Sequence, residues 1–179
     1  MRVVAGQFGG RRLKAPSGDA TRPTSDRVRE ALFSMLGPLD DARVLDLFAG
    51  SGLLGIEALS RGAERCLFVD RARPAAAVVK ENLATLGLVP PQAVVRIGDA
   101  LAVARDAQAA GDAYDLVFLD PPYRLAAGLG AGLSAALGPV LAPGARVVTE
   151  SDQRHPLVLD LPVTHERRYG DTLICIHEP

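Results

Sequence analysis

The sequence predicts an α/β fold with a mostly parallel sheet and helices on both of its faces. From residue 43 onward, short apolar runs typical of strands alternate with stretches typical of helices. These runs lack the polar alternation of a sheet with one face in water, which favours parallel strands covered on both sides. The last two runs, residues 162–169 and 172–177, are separated only by Gly170-Asp171. That spacing is typical of a hairpin, so we expect the sheet to end in antiparallel pairing.

The predicted elements follow one another in a regular order. Strands are predicted at residues 43–48, 66–70, 93–97, 114–120 and 146–150. Helices are predicted at residues 26–36, 52–60, 74–86, 101–110 and 125–141. Residues 2–5 and 11–14 flank a glycine-rich stretch and predict a small N-terminal hairpin.

The last predicted helix is unusually rich in glycine. Each glycine costs about 1 kcal/mol relative to alanine inside a helix, so we expect a loop or a frayed start there. The glycines concerned are Gly128, Gly130, Gly132 and Gly138.

Length and composition indicate a single domain that spans residues 1–179. The chain has 179 residues, of which 48% are hydrophobic, so it can bury a sizeable core. It has no apolar run near the roughly 20 residues that a membrane span needs, and its start lacks a signal-peptide pattern. We therefore expect a cytoplasmic monomer. Cys66 and Cys175 lie in apolar runs without metal-type or redox-type spacing, which predicts two buried thiols.

Basic side chains are concentrated in an N-terminal arm, residues 1–29. This arm holds seven Lys or Arg against two Asp, whereas the rest of the chain holds 13 basic and 19 acidic side chains. A basic segment on an acidic body favours docking of a polyanion at one end. On charge alone, a solvated arm without a partner fits equally well. The seven are Arg2, Arg11, Arg12, Lys14, Arg22, Arg27 and Arg29.

Aspartates close or follow four of the predicted strands. Asp46 and Asp70 lie at the ends of the first two strands, Asp99 follows the third, and Asp120 closes the fourth. Ligands of open α/β sheets bind outside the carboxyl ends of the strands. The series therefore predicts a polar ligand site along that edge.

The loop after the first strand predicts the kind of ligand. Gly50, Gly52 and Gly55 match the G-x-G-x-x-G fingerprint of dinucleotide enzymes, but a carboxylate at Asp46 would repel a pyrophosphate at close range. S-adenosylmethionine has no phosphate and carries a cationic ammonium and a cationic sulfonium, both of which a carboxylate attracts. The glycines would let the backbone approach this cofactor closely. The alternative is a tight strand-to-helix turn that binds nothing.

The next two acids have a binding and a structural interpretation each. Asp70 has about the spacing expected for the acid that holds a ribose, and the alternative is a cap for the following helix. Asp99 is placed where a carboxylate could accept a hydrogen bond from an adenine amino group. Its alternative is helix N-capping, and the two roles can coexist.

The most specific motif is Asp120-Pro121-Pro122-Tyr123, directly after a continuously apolar strand. An exocyclic amine on a nucleobase is a poor nucleophile, because its lone pair is delocalised into the ring. Carboxylate and carbonyl acceptors at Asp120 and Pro121 would hold this nitrogen and favour charge build-up during attack. The prolines stiffen the loop, and Tyr123 offers a ring on which the base can stack. The alternative is a rigid turn with a packed tyrosine.

With these motifs placed, the chain resembles a known family over nearly its whole length. Residues 46–120 resemble the class I S-adenosylmethionine-dependent methyltransferases, whose fold is Rossmann-like. Residues 2–13 followed by 22–33 resemble the bacterial RsmD family, which methylates N2 of one guanine in 16S ribosomal RNA on an assembling small subunit. The resemblance implies a seven-stranded sheet with an antiparallel last strand. It also implies an RNA partner in an assembling or assembled small subunit.

The same resemblance implies roles for individual residues. Asp46 and residues 50–52 would line the methionine half of the cofactor, Asp70 the ribose, and Asp99 the adenine. Thr24 and Arg27 lie in a segment that would cover the amino-acid end of the cofactor. The full set implied at the strand ends is Asp46, Phe48, Ala49, Gly50, Ser51, Gly52, Asp70, Arg71, Asp99 and Ala100. The basic residues implied for RNA phosphates are Arg2, Arg11, Arg12, Lys14 and Arg22.

Three rival functions remain at this point. A DNA amino-methylase acting on adenine-N6 or cytosine-N4 shares the four-residue motif, but this chain has no room for a separate target-recognition region. A nicotinamide oxidoreductase shares the glycine pattern and is disfavoured by Asp46. A non-catalytic ribosome-assembly factor is disfavoured by the intact acid series and Tyr123. No metal is expected in the leading interpretation.

Overall fold

A computed structural model describes residues 1–15 and 25–179 of the chain. Its centre is a seven-stranded sheet with the strand order β3-β2-β1-β4-β5-β7-β6. The strands are β1 Arg43–Asp46, β2 Arg65–Asp70, β3 Ala93–Ile97, β4 Tyr114–Leu119, β5 Leu141–Asp152, β6 Val163–Tyr169 and β7 Thr172–His177. The helices are α1 Asp26–Leu36, α2 Leu53–Ser60, α3 Arg73–Leu86, α4 Ala100–Ala110 and α5 Tyr123–Leu137.

The pairing directions confirm the predicted mixed sheet. The first five strands pair in parallel with their neighbours. The last strand, β7, lies between β5 and β6 and runs antiparallel to both. Gly170 occupies the hairpin turn between β6 and β7 with a φ of 60°, a conformation that glycine adopts without steric cost.

Helices cover both faces of the sheet, as predicted. Alternate residues of a strand point to opposite faces. On one face Phe118 and Val148 pack with buried side chains of α1, α2 and α3. On the other face Val117 and Val147 pack with α4 and α5. Each face therefore has its own apolar layer over the central strands, whereas the edge strand β6 is largely exposed.

The glycine-rich segment corrects one prediction. No loop or frayed start precedes this helix, since α5 begins at Tyr123 and continues to Leu137, and Leu141 already begins β5. The reason is packing: a Cβ built on Gly130 would lie 1.9 Å from the carbonyl oxygen of Val158. Glycine is required there because the helix meets a neighbouring backbone, which offsets the helical propensity that glycine lacks.

The N-terminal segment, residues 1–15, packs against α2. Arg2 and Arg12 form a single antiparallel bridge, a reduced form of the predicted hairpin. The fully buried carboxylate of Glu57 accepts hydrogen bonds from the backbone N–H groups of Val4 at 2.7 Å and Ala5 at 3.0 Å. These bonds tie the basic segment to the same helix that follows the first glycine loop.

No helix among the described residues is both long and apolar enough to cross a membrane.

Candidate active site at the carboxyl edge of the sheet

The strand register brings the predicted acids to one edge and one face. Asp46 is level with Phe68 of β2 and Phe118 of β4. Asp70 comes two residues after Phe68 on β2, and Asp120 comes two residues after Phe118, directly beyond the end of β4. At this spacing their side chains point to the same face as that of Asp46. Three carboxyl groups that are distant in the chain therefore border the same region, between the sheet and helices α1–α3.

Asp46 is buried, and its surroundings disfavour the ionised form of its carboxyl. Its side chain is 2% exposed and accepts a hydrogen bond from the backbone N–H of Gly55 at 3.2 Å. Burial raises the pKa of this carboxyl to about 7, and the charge of Asp70 adds to the rise, while the N–H groups of Gly55 and Phe48 oppose it. A cation placed beside Asp46 would stabilise its ionised form.

Glycine is needed for different physical reasons at the three positions of the G-x-G-x-x-G pattern, two in the first loop and one in α2. Gly50 and Gly52 have φ values of 55° and 80°, in the left-handed region that favours glycine. A Cβ on Gly55 would lie 2.4 Å from Cε1 of Phe68, so this glycine lets α2 lie against β2. A Cβ on Gly50 would meet only the carbonyl oxygen of Phe48, at 4.0 Å. The space beside Gly50 is therefore open to a ligand.

Asp70 joins the first two loops of the edge. One carboxylate oxygen accepts from the N–H of Gly50 at 2.9 Å and the other from the N–H of Ala72 at 2.8 Å. Ala72 is the N-cap of α3, so the capping interpretation has a direct observation behind it. Each carboxylate oxygen has two lone pairs, and acceptor capacity remains for the hydroxyls of a ribose.

Asp99 is the N-cap of α4. Its Oδ1 accepts from the N–H groups of Leu101 at 3.0 Å and Ala102 at 3.1 Å. The side chain is exposed and Oδ2 makes no hydrogen bond within the described residues, whereas Ala100 is buried. Capping and ligand binding are therefore compatible at this position.

The Asp120-Pro121-Pro122-Tyr123 motif links β4 to α5. Asp120 is half-buried, Pro121 is buried, and Pro122 is the N-cap of α5 with φ −51° and ψ 132°. The Pro122 carbonyl accepts from the N–H of Leu125 at 2.8 Å, and Tyr123 is the first helical residue. Desolvation, followed by the charges of Glu150 and Asp46, raises the pKa of Asp120 well above its usual range.

The remaining residues predicted to bind the cofactor surround the same loops. Phe48 is half-buried, Ala49 and Ser51 are buried, and Arg71 is exposed. The N–H of Ala49 donates to the carbonyl of Val69 at 2.9 Å, which ties the first loop to β2. Arg27 is exposed on α1, and Thr24 lies outside the described residues.

Three of the basic residues predicted to bind RNA contact the protein itself. Arg2 pairs with Asp26 at 2.8 Å, Arg11 donates to the carbonyl of Thr85, and Lys14 pairs with Glu81. The Arg2 and Lys14 side chains are still 62% and 69% exposed, so both remain accessible to a polyanion. Arg12 is exposed, and Arg22 lies outside the described residues.

The sequence did not single out several polar residues that are buried in the structure, among them Glu57, Ser60, Asn82 and Glu150. Asn82 of α3 accepts from the N–H of Lys14 at 2.8 Å and donates to the carbonyl of Ser51 at 2.9 Å. It therefore connects the N-terminal segment to the glycine loop. The available signal was a polar residue inside an apolar run, as for Glu57 in α2 and Glu150 in β5.

Comparison with known proteins identifies the family. The profile of the family described as Conserved hypothetical protein 95 matches residues 1–178. A protein of Escherichia coli strain K12 named Ribosomal RNA small subunit methyltransferase D is 41% identical over 129 residues, which is 69% of this chain and 61% of that protein. The chain belongs to the RsmD family. A relative in Bacillus subtilis strain 168, named "Putative rRNA methyltransferase YlbH", is 43% identical over 99% of this chain and 98% of its own length.

Solved structures agree with the RsmD assignment. One described as "Putative methyltransferase yhhF from Escherichia coli" superposes with a TM-score of 0.83 at 34% identity, covering 99% of this chain and 97% of that chain. A more distant structure, SMU.776 complexed with SAH, has a TM-score of 0.71 at 13% identity over 86% of this chain and 49% of that chain. This second likeness shows the class I methyltransferase fold, as predicted. Within the part of the chain that the structure describes, no group of three His, Cys, Asp or Glu side chains is arranged to hold a metal ion.

Proposed function

We propose that this RsmD family member transfers a methyl group from S-adenosylmethionine to the exocyclic N2 of a guanine in 16S ribosomal RNA. The observation that carries the proposal is the Asp120–Tyr123 motif at the end of β4, beside the edge that holds Asp46 and Asp70. Family membership supports it, since relatives carry the name ribosomal RNA small subunit methyltransferase.

The residues at the strand ends fit this cofactor. The backbone around Gly50 leaves open space, and a cation beside the buried Asp46 carboxyl would offset the burial that raises its pKa. The α-ammonium of the cofactor would lie by Asp46 and the residue 50–52 loop, its ribose by Asp70, and its adenine by Asp99 and Ala100. When bound, S-adenosylmethionine supplies an electrophilic methyl group on its sulfonium. The protein holds this donor and aligns it with the attacking nitrogen.

The acceptor side of the site rests on the motif itself. The target base is turned out of its stack so that its amine reaches the edge. The Asp120 carboxylate and the Pro121 carbonyl accept from the N–H groups of this amine and stabilise the charge that develops on nitrogen. A raised pKa also suits Asp120 to take up the proton that the methylated amine loses. Stacking of the base on Tyr123 remains a prediction from the sequence.

The N-terminal segment is the proposed contact for RNA phosphates. The side chains of Arg2, Arg11, Arg12 and Lys14 are exposed, and Glu57, Ser60 and Asn82 hold the backbone of this segment on α2 and α3. Phosphates of the substrate would compete with the exposed ion pairs of Arg2 and Lys14, which contribute little to stability. We expect the bound substrate to be the RNA of an assembling or assembled small subunit.

Methyl transfer from labelled cofactor tests the proposal. Naked 16S RNA and small-subunit particles lacking the modification are incubated with the protein, and the product nucleotide is identified by mass mapping. The proposal requires label on guanine N2. Label on adenine or cytosine, or none in either substrate, contradicts it.

Asp120→Ala separates chemistry from cofactor binding. We expect transfer to fall by at least roughly 100-fold, the usual cost of losing one group that stabilises the transition state. Thermal stabilisation by S-adenosylhomocysteine should persist, because Asp120 is on the acceptor side of the site. NAD serves as the control ligand and should not raise the melting temperature. Near-normal turnover of Asp120→Ala would disprove the mechanism.

A further inference from the structure

Glu150 has no role in the mechanism above, yet it borders the same edge. It lies in β5, is 4% exposed and is level with Ile174 of β7. Leu119 of β4 is level with Thr149 of β5, so the next residues on the two parallel strands are Asp120 and Glu150. Side chains at the same level on parallel neighbours point to the same face. Glu150 therefore stands beside the residue that is proposed to hold the amine.

The two carboxyl groups are close enough to influence each other. Apart from desolvation, the Glu150 charge has the largest effect among those that raise the pKa of Asp120. Two neighbouring carboxylates disfavour each other's ionisation, and hydrogen-bond donors on a bound ligand would offset this repulsion. The pair therefore favours a base in which the ring nitrogen beside the amine also carries a hydrogen over a base in which that nitrogen carries a lone pair.

Only one of the three amino-bearing bases meets this requirement. In guanine the ring nitrogen next to the amine carries a hydrogen, so N1–H and the N2 amine form adjacent donors. In adenine and cytosine the corresponding ring nitrogen carries a lone pair and is an acceptor. An ionised carboxylate can only accept, so it repels that lone pair.

We propose that Glu150 is the residue that selects guanine, an inference that rests on the proposed function. Its carboxylate accepts a hydrogen bond from N1–H of the flipped base, while Asp120 accepts from the N2 amine. Charge-assisted hydrogen bonds to the Watson–Crick edge discriminate between bases strongly, because a wrong base leaves a buried carboxylate facing a lone pair. Glu150 forms no bond to the methyl group and undergoes no covalent change.

The test replaces the target guanine by 2-aminopurine, which keeps the exocyclic amine but has a lone pair on N1. Small-subunit particles are reconstituted with ligated 16S RNA that carries either base at the mapped position, and kcat/KM is measured on both. The wild type should prefer guanine by roughly 10- to 100-fold. In Glu150→Gln the amide can donate to N1 of 2-aminopurine. The ratio of kcat/KM for guanine to kcat/KM for 2-aminopurine should therefore fall by at least about 10-fold.

Two further variants keep the result interpretable. Glu150→Asp retains a carboxylate and should keep the preference for guanine, although its rate falls because the group is displaced. Asp152→Asn is the matched control, since Asp152 lies two residues further along β5 and is bound to Arg154. Its ratio should equal that of the wild type. Melting temperatures and stabilisation by S-adenosylhomocysteine show that each variant is folded.

The outcomes separate the selection of guanine from the function on which it rests. If the wild type methylates guanine N2 and Glu150→Gln leaves the ratio unchanged, the role of Glu150 is wrong and the proposed function stands. If the wild type methylates adenine or cytosine, both proposals are overturned. A narrowed ratio in Glu150→Gln with an unchanged ratio in Asp152→Asn supports the assignment.

Discussion

Replacement of Asp46 by asparagine is expected to stabilise the protein at neutral pH and to abolish cofactor binding. Asp46 is buried, and burial raises its pKa in the folded state to about 7 from the ordinary value of 3.8. Asparagine keeps an oxygen that can accept from the N–H of Gly55, but it carries no charge. The substitution therefore removes the cost of ionising a buried carboxyl without removing its hydrogen bond.

The size of the effect follows from the two pKa values. Between about pH 4 and pH 7 the folded protein binds this proton and the unfolded chain releases it, so wild-type stability falls as the pH rises. A pKa difference of about 3 units lowers the free energy of unfolding of the wild type by ~4 kcal/mol, and this loss is complete above about pH 7. Asp46→Asn should therefore match the wild type near pH 4 and exceed it by up to ~4 kcal/mol at pH 8.

Urea unfolding at several pH values measures this difference directly. The control is Asp115→Asn, because the ion pair of Asp115 with Arg43 lowers the pKa of Asp115. That variant should be slightly less stable than the wild type at neutral pH, with the deficit vanishing as the pH falls below about 4. Calorimetry with S-adenosylhomocysteine at pH 7.5 reports the lost binding. Equal stability of Asp46→Asn and wild type at pH 8 would refute the reasoning, as would unchanged affinity for the ligand.

Two other predictions concern the N-terminal arm. Gly6→Ala should destabilise the protein by about 3 kcal/mol in chemical unfolding, because its Cβ would lie 1.8 Å from a backbone oxygen of α2. Gly10→Ala, at nearly the same φ but with nothing within 4 Å, should cost only about 1 kcal/mol, and equal losses would contradict the packing argument. Replacing Arg11 and Arg12 together by Glu should weaken RNA binding and reduce its salt slope by about 1 to 2 in a filter-binding titration. The control is Arg65→Glu, because Arg65 is exposed at the start of β2 and lies outside the N-terminal arm. RNA binding that changes equally in both variants would place the RNA surface elsewhere.

Most of the fold was predictable because it depends on local patterns. Apolar runs without alternation defined the parallel strands, and the Gly170-Asp171 turn located the antiparallel end. The continuous helix α5 was not predictable in this way. Gly130 reads as a helix breaker in sequence, and only its contact with Val158, which lies far along the chain, shows that glycine serves close packing.

The candidate site was likewise predictable from the sequence only in part. The sequence alone was enough to predict the acid series, the glycine loop and the Asp120–Tyr123 motif, because each acid follows a recognisable apolar strand and the two motifs are local. Only the tertiary structure placed Glu150 beside Asp120, tied Asn82 to the glycine loop and buried Glu57 under the N-terminal segment. The physical reason is that hydrogen bonds and charge interactions act over a few ångströms in space. The chain leaves such neighbours tens of residues apart, and their meeting depends on strand order and helix packing.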